Sequence, residues 1–584
     1  MNYMESDVIC DVAYVPMRDG TRIAYVSYRP KIGRHATIFT FSPYAGSAIP
    51  FEDAKPCLDA GYAILGANWP ATGCSEGIVD HWFPNRIVGA CGAEIIEWIA
   101  EQPWSDGNIG MAGNSYVGSS QLWVAAEKPP HLKAIVPSAL CDGFETMGYL
   151  GGMMQPSLAT WEIWTQIHTH LGGVDWRISH GDTEYDKIRG SAQQIVKNQY
   201  FDLMREHTFK DEWWHSVDPA RAEVVGQINV PTMIIGAWQD EWGGAAREGA
   251  RIFSRLMPNL KNKRLLLTNG DHRTGSFWRG YPFIRAEQIR FLDRWVKGIQ
   301  NGIEKEPAVK VFWEVSAAEG DPKKAVAGWT TSHSTWPEPA VQRRPFFLTA
   351  DGSLSIEQPS SSPKEGVRSY IYPTGVELTG GDKQFALLPY EYGVLNYRTK
   401  ATIDDMTLLG NPEVILFLSI DSGDDADLAI TLKDVGPDDT VLFLQSGLHR
   451  ASFQEIDEAQ TTSEEVLHSF AKNEKLKPKE ICEVRMSLLN PLAHVVRKGH
   501  SLELTIGAPN PIPHRLVASI PAGSLSINRI HHSETHSSRI ILPIFPGAIA
   551  QAPAPAGGTL LNQPSRKEGK FIAGGFQSPN PNEF

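Results

Sequence analysis

Ile109-Gly110-Met111-Ala112-Gly113-Asn114-Ser115-Tyr116-Val117-Gly118 reads as a strand, a sharp turn and the start of a helix. Ile109 to Ala112 is a short apolar run, and Leu122, Trp123 and Ala126 continue the stretch as a helix beginning near Tyr116. Gly113 and Gly118 allow the close strand–helix approach that a nucleophile on a strained turn requires. The backbone N–H of Tyr116 then falls at a helix N-terminus, where it can hold an oxyanion. Gly-x-Ser-x-Gly is short enough to arise by chance, so its surroundings decide. The strict match, Gly73-Cys74-Ser75-Glu76-Gly77, runs into Ile78-Val79-Asp80-His81-Trp82-Phe83-Pro84, which does not continue as a helix. Glu76 beside Ser75 would also oppose a developing oxyanion. Ser75 therefore reads as part of a turn, and Ser115 as the nucleophile.

Outward from the elbow, strands and helices alternate. Ile38 to Phe41, Ala63 to Leu65 and Ala134 to Val136 read as strands, and Arg86 to Gln102 as a helix carrying Val88, Ile95, Ile96, Trp98 and Ile99. Upstream, Val12 and Tyr14 face Ile23 and Tyr25 across Arg18-Asp19-Gly20-Thr21, a hairpin signal. The alternation predicts a doubly wound, mostly parallel sheet of the α/β-hydrolase type. From about 147 to 226 the strand signal vanishes into a stretch rich in Trp, His and Met, which reads as an inserted helical cap. The rhythm resumes at Thr232 to Ile235 and Leu265 to Leu267, followed by a helix with Ile284, Ile289, Leu292, Trp295 and Val296. Beyond 340 short strands separated by turns predict an all-β domain, a sandwich or jelly roll. The expected division is 1–146 and 227–340 for the two parts of the hydrolase domain, 147–226 for the cap and 341–584 for the β domain. Its last residues, from Pro553, read as a tail or wrapping segment.

Composition is globular: 584 residues, 42% hydrophobic and 21% charged. A net charge of −13 with no basic stripe argues against a nucleic-acid partner. Six widely spaced cysteines with no Cys-x-x-Cys pair fit a reducing compartment. The first residues carry no secretory signal pattern, and no apolar run approaches the ~20 residues of a membrane span. The chain reads as cytoplasmic, acting on a small-molecule ester or amide, with a homo-oligomer left open.

A nucleophilic serine needs a base, and the base an orienting carboxylate. Asp240 follows the strand at 232–235 and His272 the strand at 265–267, in the chain order acid then histidine. Spacing alone leaves Glu241 and Asp271 as rival acids. The histidine clusters His168-Thr169-His170 and His531-His532-Ser533-Glu534-Thr535-His536 lack the spacing of zinc sites, and Asp424-Asp425-Ala426-Asp427 lacks the remaining positions of a calcium loop. No metal or cofactor is expected.

These residues resemble the family of cocaine esterase, X-prolyl dipeptidyl-peptidase and α-amino-acid ester hydrolases. The resemblance runs from Val15-Pro16-Met17-Arg18-Asp19-Gly20-Thr21 through Glu97 to Gly107, the elbow, Arg294-Trp295-Val296-Lys297-Gly298, Ser446 to Arg450 and Ser537 to Pro543. It implies Ser115, Asp240 and His272 as a catalytic triad, with Asp240 preferred by its Trp-x-Asp setting. It also implies Tyr44, in Ser42-Pro43-Tyr44, as the hydroxyl that joins the Tyr116 N–H in the oxyanion hole, on an α/β-hydrolase domain with a helical cap and a jelly roll. One segment departs: where the family has Asp-x-Arg-Gly-Thr-Gly, this chain has Asn68-Trp69-Pro70-Ala71-Thr72-Gly73. The implied activity is ester hydrolysis through an acyl-enzyme, with Trp161, Trp164, Trp238 and Trp242 as candidate walls of an apolar pocket. An X-Pro aminopeptidase on the same machinery is the rival; it needs a carboxylate for the substrate ammonium, with Asp142, Glu145, Glu162, Asp175 and Glu241 as candidates. A non-catalytic binding protein is the reading from another class.

Overall fold

The computed structural model describes residues 2–81, 83–140, 143–155, 172–189, 191–359, 366–373, 392–509, 525–551, 553–560, 562–567 and 570–575. The N-terminal half is built on a ten-stranded sheet. Its strands are β1 (Val8–Pro16), β2 (Arg22–Pro30), β3 (His35–Ser42), β4 (Ala63–Asn68), β5 (Ser105–Asn114), β6 (Leu132–Ser138), β7 (Thr232–Ala237), β8 (Lys263–Thr268), β9 (Val309–Trp313) and β10 (Trp329–His333). They lie in the order β1-β2-β4-β3-β5-β6-β7-β8-β9-β10. From β4 to β9 neighbouring strands run parallel, and β1, β2 and β10 join antiparallel at the two edges.

Parallel strands need crossovers, and the helices that supply them cover both faces. Helices α1 (Phe51–Asp59) and α5 (Pro282–Trp295) pack on one face; α2 (Arg86–Ala100), α3 (Tyr116–Ala126) and α4 (Ala245–Arg251) pack on the other. Strand residues alternate between the two: Ile38, Ile64 and Leu266 go with α1 and α5, while Phe39, Leu65, Leu265 and Leu267 go with α2 to α4. The doubly wound sheet expected from the alternating pattern is therefore present.

Between β6 and β7 the chain makes short helices, including Val174–Ser179, Tyr200–Glu206 and Glu212–Val217. Here one expectation needs correcting, because the segment also holds strands. Gln194–Val196 pairs in parallel with Gly77–Val79, and Tyr149–Leu150 pairs with Met153–Met154. Two- and three-residue strands are too short to show a period of two in the sequence. Arg177 ties this segment to the sheet. It is fully buried, with Nε 2.6 Å from Asp182 and Nη1 donating to the carbonyls of Tyr25 (2.9 Å) and Ser47 (3.1 Å).

The C-terminal half is mostly sheet, with a nine-stranded and a five-stranded sheet among the described residues. The apolar core below α2 to α4 continues without a break into Val414, Leu416, Leu428, Ile430 and Leu504 of these sheets. No helix among the described residues is long and apolar enough to cross a membrane.

Replacing Arg177 by Leu removes one partner of a buried ion pair and leaves Asp182 unpaired, an imbalance that costs about 3–5 kcal/mol. Denaturant unfolding of Arg177→Leu should show a loss of that order; a change within experimental error would mean that the pair does not anchor the insertion.

Candidate active site

The elbow forms as its residue types dictate. Ser115 has φ 62° and ψ −132°, a strained conformation for a residue with a Cβ. Its N–H donates to the Ser138 carbonyl at 3.0 Å, and its own carbonyl accepts the N–H groups of Gly118 and Ser119, both at 2.8 Å, to open α3. The two flanking glycines are sterically required. A Cβ on Gly118 would lie 2.4 Å from the Ser138 carbonyl oxygen, and one on Gly113 would lie 2.3 Å from Val117 Cγ1. Gln121, buried in α3, closes the arrangement: its amide donates to the carbonyls of Val117 (3.0 Å) and Gly113 (3.3 Å) and accepts from the Val136 N–H at 3.0 Å. Ser75 lies in another setting. Its hydroxyl donates to the Asn68 carbonyl and accepts from Ala24 N–H, Glu76 pairs with Arg22 at 2.7 Å, and no helix follows.

Asp240 and His272 sit on the loops that leave β7 and β8. The Asp240 carboxylate is fully buried, and its two oxygens lie 2.8 and 3.0 Å from His272 Nδ1. The two rival carboxylates are committed elsewhere. Glu241 accepts the backbone N–H of His272 at 2.9 Å, and Asp271 accepts the N–H of Arg273 at 3.0 Å. The Asn114 amide donates to the His272 carbonyl at 3.2 Å, which ties the histidine loop to the residue before Ser115. Burial acts to lower the imidazole pKa, but the charge and hydrogen bond of Asp240, with Glu241 and Asp271 behind it, outweigh that and hold it above 6.5. Glu241 is itself displaced upward, first by burial and then by the adjacent Asp240, with His272 opposing.

Tyr44 stands over the elbow, its ring parallel to that of Tyr116 with centroids 6.2 Å apart, and Tyr116 stacks in turn on Trp69 at 5.7 Å. Its loop is clamped by Asn68, in the segment that departs from the family pattern. The Asn68 amide donates to the Tyr44 carbonyl at 2.6 Å, and its oxygen accepts from both the N–H (3.0 Å) and the hydroxyl (2.5 Å) of Ser47. A carboxylate at this position would accept but not donate, so the neutral side chain suits the loop. Of the pocket tryptophans, Trp242 lies against His272 with ring centroids 6.1 Å apart. Trp238 is buried in the core instead, its carbonyl accepting from Gln445 at 2.7 Å. Trp161 and Trp164 lie outside the described residues, as do Glu162, Asp142, His168 and His170. Among the described residues no cluster of His, Cys, Asp and Glu is arranged to hold a metal ion.

Sequence reasoning missed Asn68, Asn114 and Gln121. Only two left a signal: Asn68 as a departure from the family pattern, and Gln121 as the one amide side chain in a helix of small and apolar residues.

Residues 19–274 match the X-Pro dipeptidyl-peptidase (S15 family), and residues 301–541 match the X-Pro dipeptidyl-peptidase C-terminal non-catalytic domain. A cocaine esterase from Rhodococcus sp. is 25% identical over 600 residues, spanning 91% of this chain and 97% of its own. A CocE/NonD family hydrolase from Staphylococcus aureus superposes with a TM-score of 0.74 at 20% identity, over 92% of this chain and 94% of that one. An α-amino acid ester hydrolase does so with a TM-score of 0.71 at 18% identity, over 92% and 97%. The chain thus has the two-domain hydrolase fold, with an N-terminal catalytic domain and a mostly sheet C-terminal domain.

A general base acts once it has lost its proton, and a raised pKa moves that loss to higher pH. The kcat/KM profile should therefore rise through one step centred above 6.5, the ordinary histidine value. A flat profile from about pH 5 to 8, or a step centred below the ordinary value, would count against His272 as the base.

Proposed function

We propose that this chain, which matches the X-Pro dipeptidyl-peptidase (S15 family) and is similar to a cocaine esterase, is a serine hydrolase that cleaves esters through a Ser115 acyl-enzyme, with Asp240 and His272 completing the triad. The observation that carries this reading is the buried Asp240 carboxylate on His272 Nδ1, with the His272 carbonyl bonded by Asn114, the residue before a serine held in a strained elbow. His272 takes the Ser115 proton as the hydroxyl attacks the ester carbonyl. Asp240 keeps the Nδ1 tautomer and offsets the charge of the imidazolium. The Tyr116 N–H, at the start of α3, and the Tyr44 hydroxyl receive the oxyanion. His272 then protonates the departing alcohol and activates water for deacylation. Trp242, against the imidazole, supplies an apolar wall for the acyl or alcohol group.

An ester is favoured over an X-Pro amide by the state of the candidate carboxylates among the described residues. An aminopeptidase must give the substrate ammonium a desolvated anionic partner. Glu241 already accepts from His272 and from the Asn562 amide, and Glu145 faces Arg247 at 3.3 Å. Asp175 is exposed, on a short helix of the insertion. The same reading assigns 1–146 and 227–340 to the hydrolase domain, 147–226 to a cap over the site and 341–584 to a β domain of jelly-roll type, in a cytoplasmic enzyme.

The test compares kcat/KM for a short-chain aryl ester and for an Ala-Pro aryl amide at one pH. The ester should be cleaved far better, Ser115→Ala should abolish cleavage of both, and Ser75→Ala should retain most activity. A faster amide would overturn the esterase reading, and an active Ser115→Ala would overturn the nucleophile.

Tyr44→Phe removes a donor that acts on the oxyanion rather than on the ground state, so kcat should fall about 10²–10³-fold with KM little changed. An unchanged kcat would take Tyr44 out of the hole.

A further inference from the structure

The loops that carry the acid and the base are held from the far end of the chain. Trp238, two residues before Asp240, has its carbonyl bonded by the Gln445 amide, and Gln239 donates to the Leu444 carbonyl. Asn490 accepts the N–H groups of Ala246 (2.9 Å) and Arg247 (3.1 Å) at the start of α4, just after the acid loop. All of these partners belong to the C-terminal domain. The last contribution comes from Asn562 and Gln563. The Asn562 amide donates to Glu241 Oε2 at 2.7 Å, the same oxygen that accepts the His272 backbone N–H. Gln563 Oε1 accepts from the Asn269 amide at 2.7 Å, three residues before the histidine.

This stretch is fixed on both sides. Leu560 is buried in the apolar layer under α1 and α5, and the Thr559 hydroxyl accepts from the Ala317 N–H. On the other side, Ser565–Lys567 pairs as a strand with Thr440 to Leu442. Asn562 itself is 4% exposed, and Gln563 8%. A part-buried carboxylate such as Glu241, sharing one oxygen between two donors, has its position set by both. Moving Asn562 therefore moves Glu241, and with it the backbone of His272.

We propose that Asn562 is a positioning residue for catalysis: through Glu241 it fixes the backbone of His272, so that the C-terminal segment acts as a strap on the acid–base pair. The proposal rests on His272 being the base. The strap touches no substrate. It sets where the imidazole stands relative to Ser115, and misplacement of a catalytic group by a fraction of an ångström to 1 Å is felt in the rate.

Asn562→Leu removes the donor and keeps the size. It should lower kcat about 10-fold with KM within about two-fold of the parent, measured well below the melting temperature of the variant, which the lost hydrogen bond lowers. In a Glu241→Ala background the same substitution should cost nothing further, because the path to His272 is already cut. A second variant, Asn562→Asp, sets a carboxyl group where the amide lay 2.7 Å from Glu241, and burial and Asp240 already displace Glu241 upward. The ionisable groups around that point are Glu241, Asp240, Asp271 and His272. The two neighbouring carboxyl groups share one proton, so the new side chain still donates to Glu241 until that proton is lost and the pair repel. The Asp variant should therefore keep kcat close to the parent at low pH and lose it at high pH, where the parent holds its rate. If Asn562→Leu does not fold, the Asp variant carries the test alone. An Asn562→Leu kcat equal to the parent, an Asp variant that follows the parent at every pH, or an equal loss in the Glu241→Ala background, would overturn the strap. A His272→Ala enzyme that still turns over would overturn the base assignment as well. If His272→Ala is dead and the Asn562 variants behave as the parent, only the strap fails.

Discussion

A serine held at φ 62° and ψ −132° is the constraint on which the rest of this molecule depends. Such backbone costs of the order of 1–3 kcal/mol and persists only where its surroundings leave no alternative. Here the surroundings are specific. β5 delivers the chain to the turn, α3 starts one residue later, and Gly113 and Gly118 remove the side chains that would keep the two apart. Gln121 and Ser138 then occupy the polar groups that the sharp turn leaves behind. The doubly wound sheet is what makes this affordable, because the strain is confined to one residue inside a large, continuous core.

The elbow was legible because everything that defines it is local: a strand, two glycines and a helix within ten residues. The proposed acid and base are marked in the sequence by order, each following an apolar run, but spacing could not separate Asp240 from Glu241 or Asp271. Geometry separates them, since one carboxylate meets the imidazole ring, one the backbone of His272 and one the turn of Arg273. The roles of Asn562, Gln445 and Asn490 were not legible at all. Asn562 lies 321 residues from Glu241 in sequence, and a polar side chain in a Pro- and Gly-rich tail resembles any solvated one. The surroundings of Trp238 were not legible for a related reason. Its place beside the acid suggested a pocket wall, whereas Trp238 lies in the apolar core, with its backbone carbonyl bonded by Gln445.

The C-terminal domain carries none of the proposed reacting groups, yet it bonds to the loop of the acid, the start of α4 and the loop of the base. An acid–base pair is only as well placed as the backbone beneath it. On the side of Ser115 that support comes from the hydrolase sheet itself, through Ser138, Gln121 and Asn114. On the side of Asp240 and His272 it is supplied largely by the second domain.

The order in which the chain emerges gives this division a temporal meaning. The sheet, the elbow and both loops of the proposed acid and base are complete in sequence by residue 333, while their outer contacts arrive between 444 and 563. A chain growing from its N-terminus can bury the hydrolase core and strain its serine long before those partners exist. Contacts spanning more than two hundred residues are also the slowest to close. The chain therefore passes through a stage in which the elbow of the proposed nucleophile is built and the loop of the proposed base still lacks its outer contacts. During biosynthesis, competence comes last, as a property of the finished chain rather than of the domain that holds the chemistry.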